Sequence, residues 1–110
     1  MKEEVEKAAE ETNNIEFYGY RHQSEIFTDL KSSYGLIFPS IWYEGFPMII
    51  AESFALGVPV LTTDIGNQAD VIRQSQGGEV FEPNSEQSFI YAVEKMVSEH
   101  KKLSLNAKSY

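Results

Sequence analysis

Two carboxylates and a helix start carry the most chemistry in this chain. Glu44 and Glu52 flank the run Gly45-Phe46-Pro47-Met48, which opens an almost wholly apolar segment that stops at Gly57. Gly45 admits backbone geometry that a Cβ would resist. Pro47 fits a first helical position, where its missing N–H would have no partner anyway. The spacing predicts a helix from Pro47 to Gly57. Its start presents unpaired N–H groups and the positive end of the helix dipole, which suits a phosphate or another anion. Glu52 lies about 7.5 Å along the axis from Pro47, at 1.5 Å per residue. A diphosphate at the helix start would place an attached ribose at that distance, where Glu52 can accept hydrogen bonds from two hydroxyls. Glu44 stands on the loop, where the group beyond the diphosphate would lie. A plainer reading makes Glu52 a snorkelling or paired carboxylate and the Gly-x-Pro run only a helix start.

The elements that must position these residues alternate between strand and helix. Ile15-Glu16-Phe17-Tyr18 reads as a strand ending at Gly19, with Tyr20 and Arg21 just beyond it. Arg21 either meets a phosphate or caps an acidic neighbour. Ser24 fits the N-cap of a helix through Lys31, with Ile26, Phe27 and Leu30 as its core stripe. Tyr34 to Phe38 reads as the next strand, closed by Pro39-Ser40. Trp42 and Tyr43 follow in the loop, either lining a sugar pocket or packing the loop on the core. Val58 to Thr62 reads as a strand starting just past Gly57. The loop Thr63-Asp64-Ile65-Gly66-Asn67 and a short helix through Ile72 come next. Gln76-Gly77-Gly78 is a turn and Glu79-Val80-Phe81 a strand. Ser85 or Asn84 caps a last helix, on which Phe89, Ile90, Val93, Met96, Val97 and His100 follow helical spacing. Residues 1–12 read as a solvated helix and the polar end, 104–110, as a fraying tail.

Four strands alternating with helices predict a parallel, doubly wound α/β sheet. Ligands of such sheets bind outside the carboxyl ends of the strands. Gly19, Ser40 to Gly45 and Thr63 to Asn67 all fall at those ends. With 110 residues the chain makes one small domain. It is 42% hydrophobic and 24% charged, too apolar for a disordered chain. The net charge of −8 argues against general nucleic-acid binding. There is no cysteine and there are only two histidines, which leaves no basis for a disulfide frame or a zinc cluster. No apolar run approaches the roughly 18 residues of a membrane span, and the start does not read as a signal peptide.

Glu44-Gly45-Phe46-Pro47-Met48-Ile49-Ile50-Ala51-Glu52 resembles the Glu-x7-Glu motif of retaining, nucleotide-sugar-dependent glycosyltransferases, the "glycosyl transferases group 1" or family four type. Other words of that family recur in order. They are Ile15-Glu16-Phe17-Tyr18-Gly19, Phe38-Pro39-Ser40, Ala55-Leu56-Gly57-Val58-Pro59-Val60, Thr63-Asp64-Ile65-Gly66 with Asp70-Val71-Ile72, and Gly78-Glu79-Val80-Phe81. The likeness covers about residues 13–105. Asn67 stands where the family usually shows a second glycine, and Asp70 where it shows Glu.

The resemblance implies a Rossmann-like parallel sheet with flanking helices, the later part of the C-terminal domain of a GT-B enzyme. Residues 1–110 would be a single partial domain. The acceptor-binding domain and two strands that bring a basic pair to the diphosphate would be missing, and the segment 15–18 would lie two strands away from 35–38. The parent would transfer a sugar from a UDP-, GDP- or ADP-sugar to a glycan or lipid-linked acceptor, with retention and without a metal or other cofactor. Glu44 would hold the donor sugar as the catalytic carboxylate. Glu52, Gly45, Phe46, Pro47, Met48, Ser40, Gly19, Tyr20, Arg21 and Gly66 would bind the donor and its nucleotide. The setting would be cytoplasmic, membrane-peripheral in a full-length parent, and the chain alone would be inactive and prone to self-association. The competing readings are a nucleotide-binding module without catalysis, a glycosidase-like use of Glu44 and Glu52 at about 5–9 Å separation, and a signalling domain of shared sheet pattern.

Overall fold

The computed structural model describes residues 7, 10, 11, 14–16, 18, 19, 21–39 and 48–110. Three parallel strands lie in sequence order, β1 (Leu36–Phe38), β2 (Val60–Thr63) and β3 (Gly78–Phe81). Leu36 pairs with Val60 and Val60 with Gly78, and the register runs on without a slip to Phe38–Thr62 and Thr63–Phe81. Helices α1 (Gln23–Lys31), α2 (Met48–Ala55), α3 (Gly66–Ser75), α4 (Glu86–Ser98) and α5 (His100–Ser109) complete the order α1-β1-α2-β2-α3-β3-α4-α5. This is a Rossmann-like α/β arrangement. Every residue of β2 is buried, as expected of a central parallel strand covered on both faces. Of the expected helix over residues 1–12, Lys7, Glu10 and Glu11 are helical and exposed, and the rest lies outside the described residues.

The expected first strand does not join the sheet. Ile15, Glu16 and Tyr18 are exposed and carry no ladder pairing. A strand is held by its neighbours, and the expected order puts two further strands between this segment and β1. Tyr18 instead donates a hydrogen bond to the Glu16 carboxylate at 2.9 Å, and that bond raises the phenol above its usual range.

The stripe predicted for α1 is only partly buried. Leu30 is in the core, whereas Ile26 and Phe27 are exposed. Ile26 and Leu30 line an open cavity of about 430 Å3 with Leu36, Ile37 and Ile49, at the outer edge of β1. The α1 cap also differs from expectation. The N-cap is His22, whose N–H donates to the Glu25 carboxylate at 3.3 Å, and Ser24 lies inside the first turn. A carboxylate in the first turn that reaches back to the cap satisfies an orphan donor and suits the helix dipole.

The other boundaries follow their predicted chemistry. Gly57 ends the α2 segment at φ +72°, where the N–H of Gly57 donates to Phe54 and that of Val58 to Ser53. The buried Ser53 hydroxyl closes the same turn by donating to the Val58 carbonyl at 2.8 Å. Helix α3 runs three residues past Ile72 and stops at the left-handed Gln76. Ser85 caps α4 by accepting from the Ser88 N–H.

The end of the chain corrects the expected tail. The single last helix breaks at Glu99, and 104–110 belongs largely to α5. Leu103 and Ala107 are buried at an i, i+4 spacing. The segment reads as polar because that narrow stripe is its only inward face. Ser104 donates to the Gly57 carbonyl and Asn106 to the Gln76 carbonyl at 3.0 Å, so α5 holds the turns that lead into β2 and β3. Tyr110 sets its ring edge-on to Phe54 at 5.9 Å. His100 has a structural role, stacked on Tyr34 with ring centroids 3.6 Å apart and Nε2 2.6 Å from the Tyr34 carbonyl oxygen.

Two clusters flank the sheet. Ile50, Phe54, Val60, Val71, Ile72 and Ala107 form one; Leu61, Phe81, Ala92, Met96 and Leu103 form the other. Val60 and Leu61 divide between them because successive strand side chains point to opposite faces. Leu103 and Ala107 let α5 enter both.

Gly78 sits where no side chain fits. A Cβ there would lie 1.7 Å from the Val60 carbonyl oxygen, in the middle of the β2–β3 ladder. Gly78→Ala is expected to cost at least about 3 kcal/mol, at the upper end of overpacking effects, measured as the loss of unfolding free energy in urea. A melt within error of the parent would show that β3 can shift at no cost.

Glu79 lies half-buried on β3 with Lys95 Nζ 3.7 Å away. Burial raises its carboxyl pKa, with Lys95 opposing the rise. The neutral acid thus fits the folded state better than the anion. Its stabilising contribution is full below the ordinary glutamate value and is lost as pH rises through the raised folded value. In an NMR titration the Glu79 side-chain carboxyl carbon is expected to show a midpoint above the ordinary value. A midpoint at or below it would mean that Lys95 outweighs burial.

Candidate functional site

All three strands run parallel, so their carboxyl ends, Phe38, Thr63 and Phe81, lie on one side of the sheet. Side-chain and backbone hydrogen bonds tie these ends together. The Thr62 hydroxyl donates to the Phe38 carbonyl at 3.1 Å, and the Asp64 N–H to the Phe81 carbonyl at 2.9 Å. Gln68 Nε2 donates to Thr63 Oγ1 at 2.7 Å. The Ile65 N–H turns back to the Thr63 carbonyl at 2.8 Å, which bends the chain into α3. Arg73, one helix face further on, holds Asp64 at 2.7 Å. That hydrogen bond raises the guanidinium above its usual range.

Six of the sequence-derived candidates, Tyr20, Ser40, Glu44, Gly45, Phe46 and Pro47, lie outside the described residues, as do Trp42 and Tyr43. The remaining five fall at three places. Met48 is the first described residue of α2 and is 66% exposed. Glu52 follows one turn later on the same helix and is half-buried. Its neighbours Ile50, Ser53 and Phe54 point into the core, and among the described residues no side chain forms an ion pair or hydrogen bond with its carboxylate. Gly66 opens α3 at φ +56°, a left-handed backbone for which a glycine is suited. The Asn67 that replaces the usual second glycine is helical and exposed.

Gly19, at φ +65°, and Arg21 lie together on the cavity at the outer edge of β1. The Arg21 guanidinium is held by two carboxylates, Nε 3.3 Å from Glu25 and Nη2 3.0 Å from Asp29, and sits over the Tyr18 ring at 4.3 Å. Its charge is thus shared among acidic neighbours of α1, the second of the two readings that the sequence allowed.

Thr62 and Gln68 were not singled out by sequence reasoning, and Thr63 only as the start of the loop after β2; all three are almost wholly buried. The available signal was two hydroxyls closing a strand that is otherwise apolar, followed five residues later by an amide within an apolar helical stripe. Among the described residues no three His, Cys, Asp or Glu side chains cluster in a way that would hold a metal, and no helix is long and apolar enough to cross a membrane.

Three parallel strands in sequence order with helices between them define a Rossmann-like class of α/β domain. Residues 1–110 match the family model described as glycosyl transferases group 1, and the chain belongs to that family. It is also 34% identical over 64 residues to an exopolysaccharide phosphotransferase, SCO2592, of Streptomyces coelicolor (strain ATCC BAA-471 / A3(2) / M145). The match takes in 57% of this chain and 7% of that protein, so the chain spans a small part of the relative's length.

Proposed function

We propose that this chain is the donor-binding part of a retaining, GT-B-type glycosyltransferase that uses a nucleoside diphosphate sugar. The observation that carries the reading is Glu52: a half-buried carboxylate in an otherwise apolar helix, with no partner among the described residues. A carboxylate so placed is costly to keep unless donors meet its oxygens. Two adjacent ribose hydroxyls satisfy it. The amides of residues 45–48 meet the diphosphate, whose charge grows as the sugar leaves. Glu44 holds hydroxyls of the donor sugar, and attack comes from the face that the nucleotide leaves. No metal is required, because the helix start supplies the positive potential.

Gly19, Ser40 and Tyr20 take the base side of the nucleotide, and Gly66 gives a ligand close approach to the backbone after β2. The acceptor, a glycan or a lipid-linked sugar, is bound outside these residues. The word exopolysaccharide in the relative's name supports polysaccharide biosynthesis as the setting. The chain by itself binds nucleotide without turnover. The open edge of β1, with Ile37 47% exposed, supports its self-association.

Calorimetric titration with UDP, GDP and ADP tests this reading. One nucleotide is expected to bind saturably, and Glu52→Ala to weaken it about tenfold to a hundredfold, as loss of hydrogen bonds to a charged group does. Equal affinity in a folded Glu52→Ala variant would sink the role of Glu52 and with it the donor-site reading.

A further inference from the structure

We infer that Thr62, Thr63 and Gln68 form a positioning strut that holds the end of β1 and the bend into α3, on which nucleotide binding depends; the inference rests on the donor-binding reading above. Among the described residues, four polar side chains are buried to 2% exposure or less: Ser53, Thr62, Thr63 and Gln68. Ser53 closes the turn after α2. The other three stand together at the carboxyl end of β2.

A core does not ask for them. A buried hydroxyl or amide is costly unless hydrogen-bonded, and Val or Met fills the same space without that demand. What the three side chains add is direction. The Thr62 hydroxyl donates to the carbonyl of Phe38, the last residue of β1, and so fixes the end of that strand against β2. Gln68 reaches back from α3 to Thr63 Oγ1 at 2.7 Å, spanning the bend Asp64-Ile65-Gly66-Asn67. Successive strand side chains leave on opposite faces, so the two threonines serve different neighbours. One strand end thereby registers both the end of β1 and the bend into α3. A misplacement of about 1 Å in such a site costs on the order of a hundredfold in rate.

The test combines amide hydrogen exchange by NMR with nucleotide titration on Thr62→Val, Gln68→Met and the hydroxyl-retaining Thr62→Ser. Gln68→Met, which removes the bond to Thr63, is expected to speed exchange at residues 64–67 at least about tenfold, while Leu61 and Ile72 keep their parent rates. The affinity for whichever nucleotide the parent binds is expected to fall about tenfold in Thr62→Val and Gln68→Met and to return in Thr62→Ser. Exchange that changes equally at all amides, or at none, overturns the strut, as does unchanged affinity in both loss variants. If the parent binds none of UDP, GDP and ADP, the donor reading fails, and the local or uniform pattern of exchange alone decides the strut. If Thr62→Val does not fold, Gln68→Met decides it.

Discussion

Burial of β2 on all sides is the constraint on which the rest of this structure depends. Its two edges are taken by β1 and β3 and its two faces by the separate apolar clusters. A strand so enclosed must pair every peptide group, because an orphaned one would cost free energy comparable to a lost hydrogen bond. Parallel pairing then fixes the ends of its neighbours on one side. The helices must return the chain to the other side each time, and they do so through turns that close on themselves: Ser53 onto Val58 before β2, Gln76 onto Ile72 before β3. The same need explains Gly78. Its Cα passes so close to the Val60 carbonyl that any side chain would part the ladder.

The last helix belongs to this same logic. The turns before β2 and β3 expose carbonyls at the amino end of the sheet. Ser104 and Asn106 cover two of them, at Gly57 and Gln76, while Leu103 and Ala107 anchor the helix in both clusters. Nothing in the composition of the stretch announces this. Each anchoring residue is a single apolar side chain in a polar turn, and the hydrogen bonds go to residues about 30 and 47 positions away. A local reading of sequence sees local periodicity, so it finds α4 and its Ser85 cap and misses what long-range partners impose on α5. The segment 15–18 fails for the converse reason. Its apolar residues suit a strand, but a strand's existence is decided by the neighbour it pairs with. Glycines and prolines were the most legible signals, since their constraints lie in their own backbone: Gly57 ends the α2 segment in a left-handed conformation, and Gly66 does the same at the start of α3.

The candidate site was legible in type more than in support. Glu52 stands out because a carboxylate within Met48 to Leu56 breaks an apolar run, and the structure leaves it half-buried on α2. Thr62, Thr63 and Gln68 are harder to see. Threonine is an ordinary strand residue and glutamine an ordinary helix residue, so propensity hides them. Only their burial, with Oγ and Nε atoms that each find a partner across an element boundary, separates them from surface polar residues.

Charge bears on how such a site would hold an anion. The chain carries nine Lys and Arg against seventeen Asp and Glu. Among the described cations, Arg21 is engaged by Glu25 and Asp29, Arg73 by Asp64, Lys95 by Glu79 and Lys102 by Glu99. Freeing any of them for a phosphate would leave a carboxylate behind in a chain that is already strongly acidic. Peptide N–H groups at a helix start carry no counter-ion and meet an anion without that cost. That source is weaker than a pair of basic side chains and acts only over the first turn. On the donor-binding reading, such a source orients a diphosphate more than it fixes the affinity.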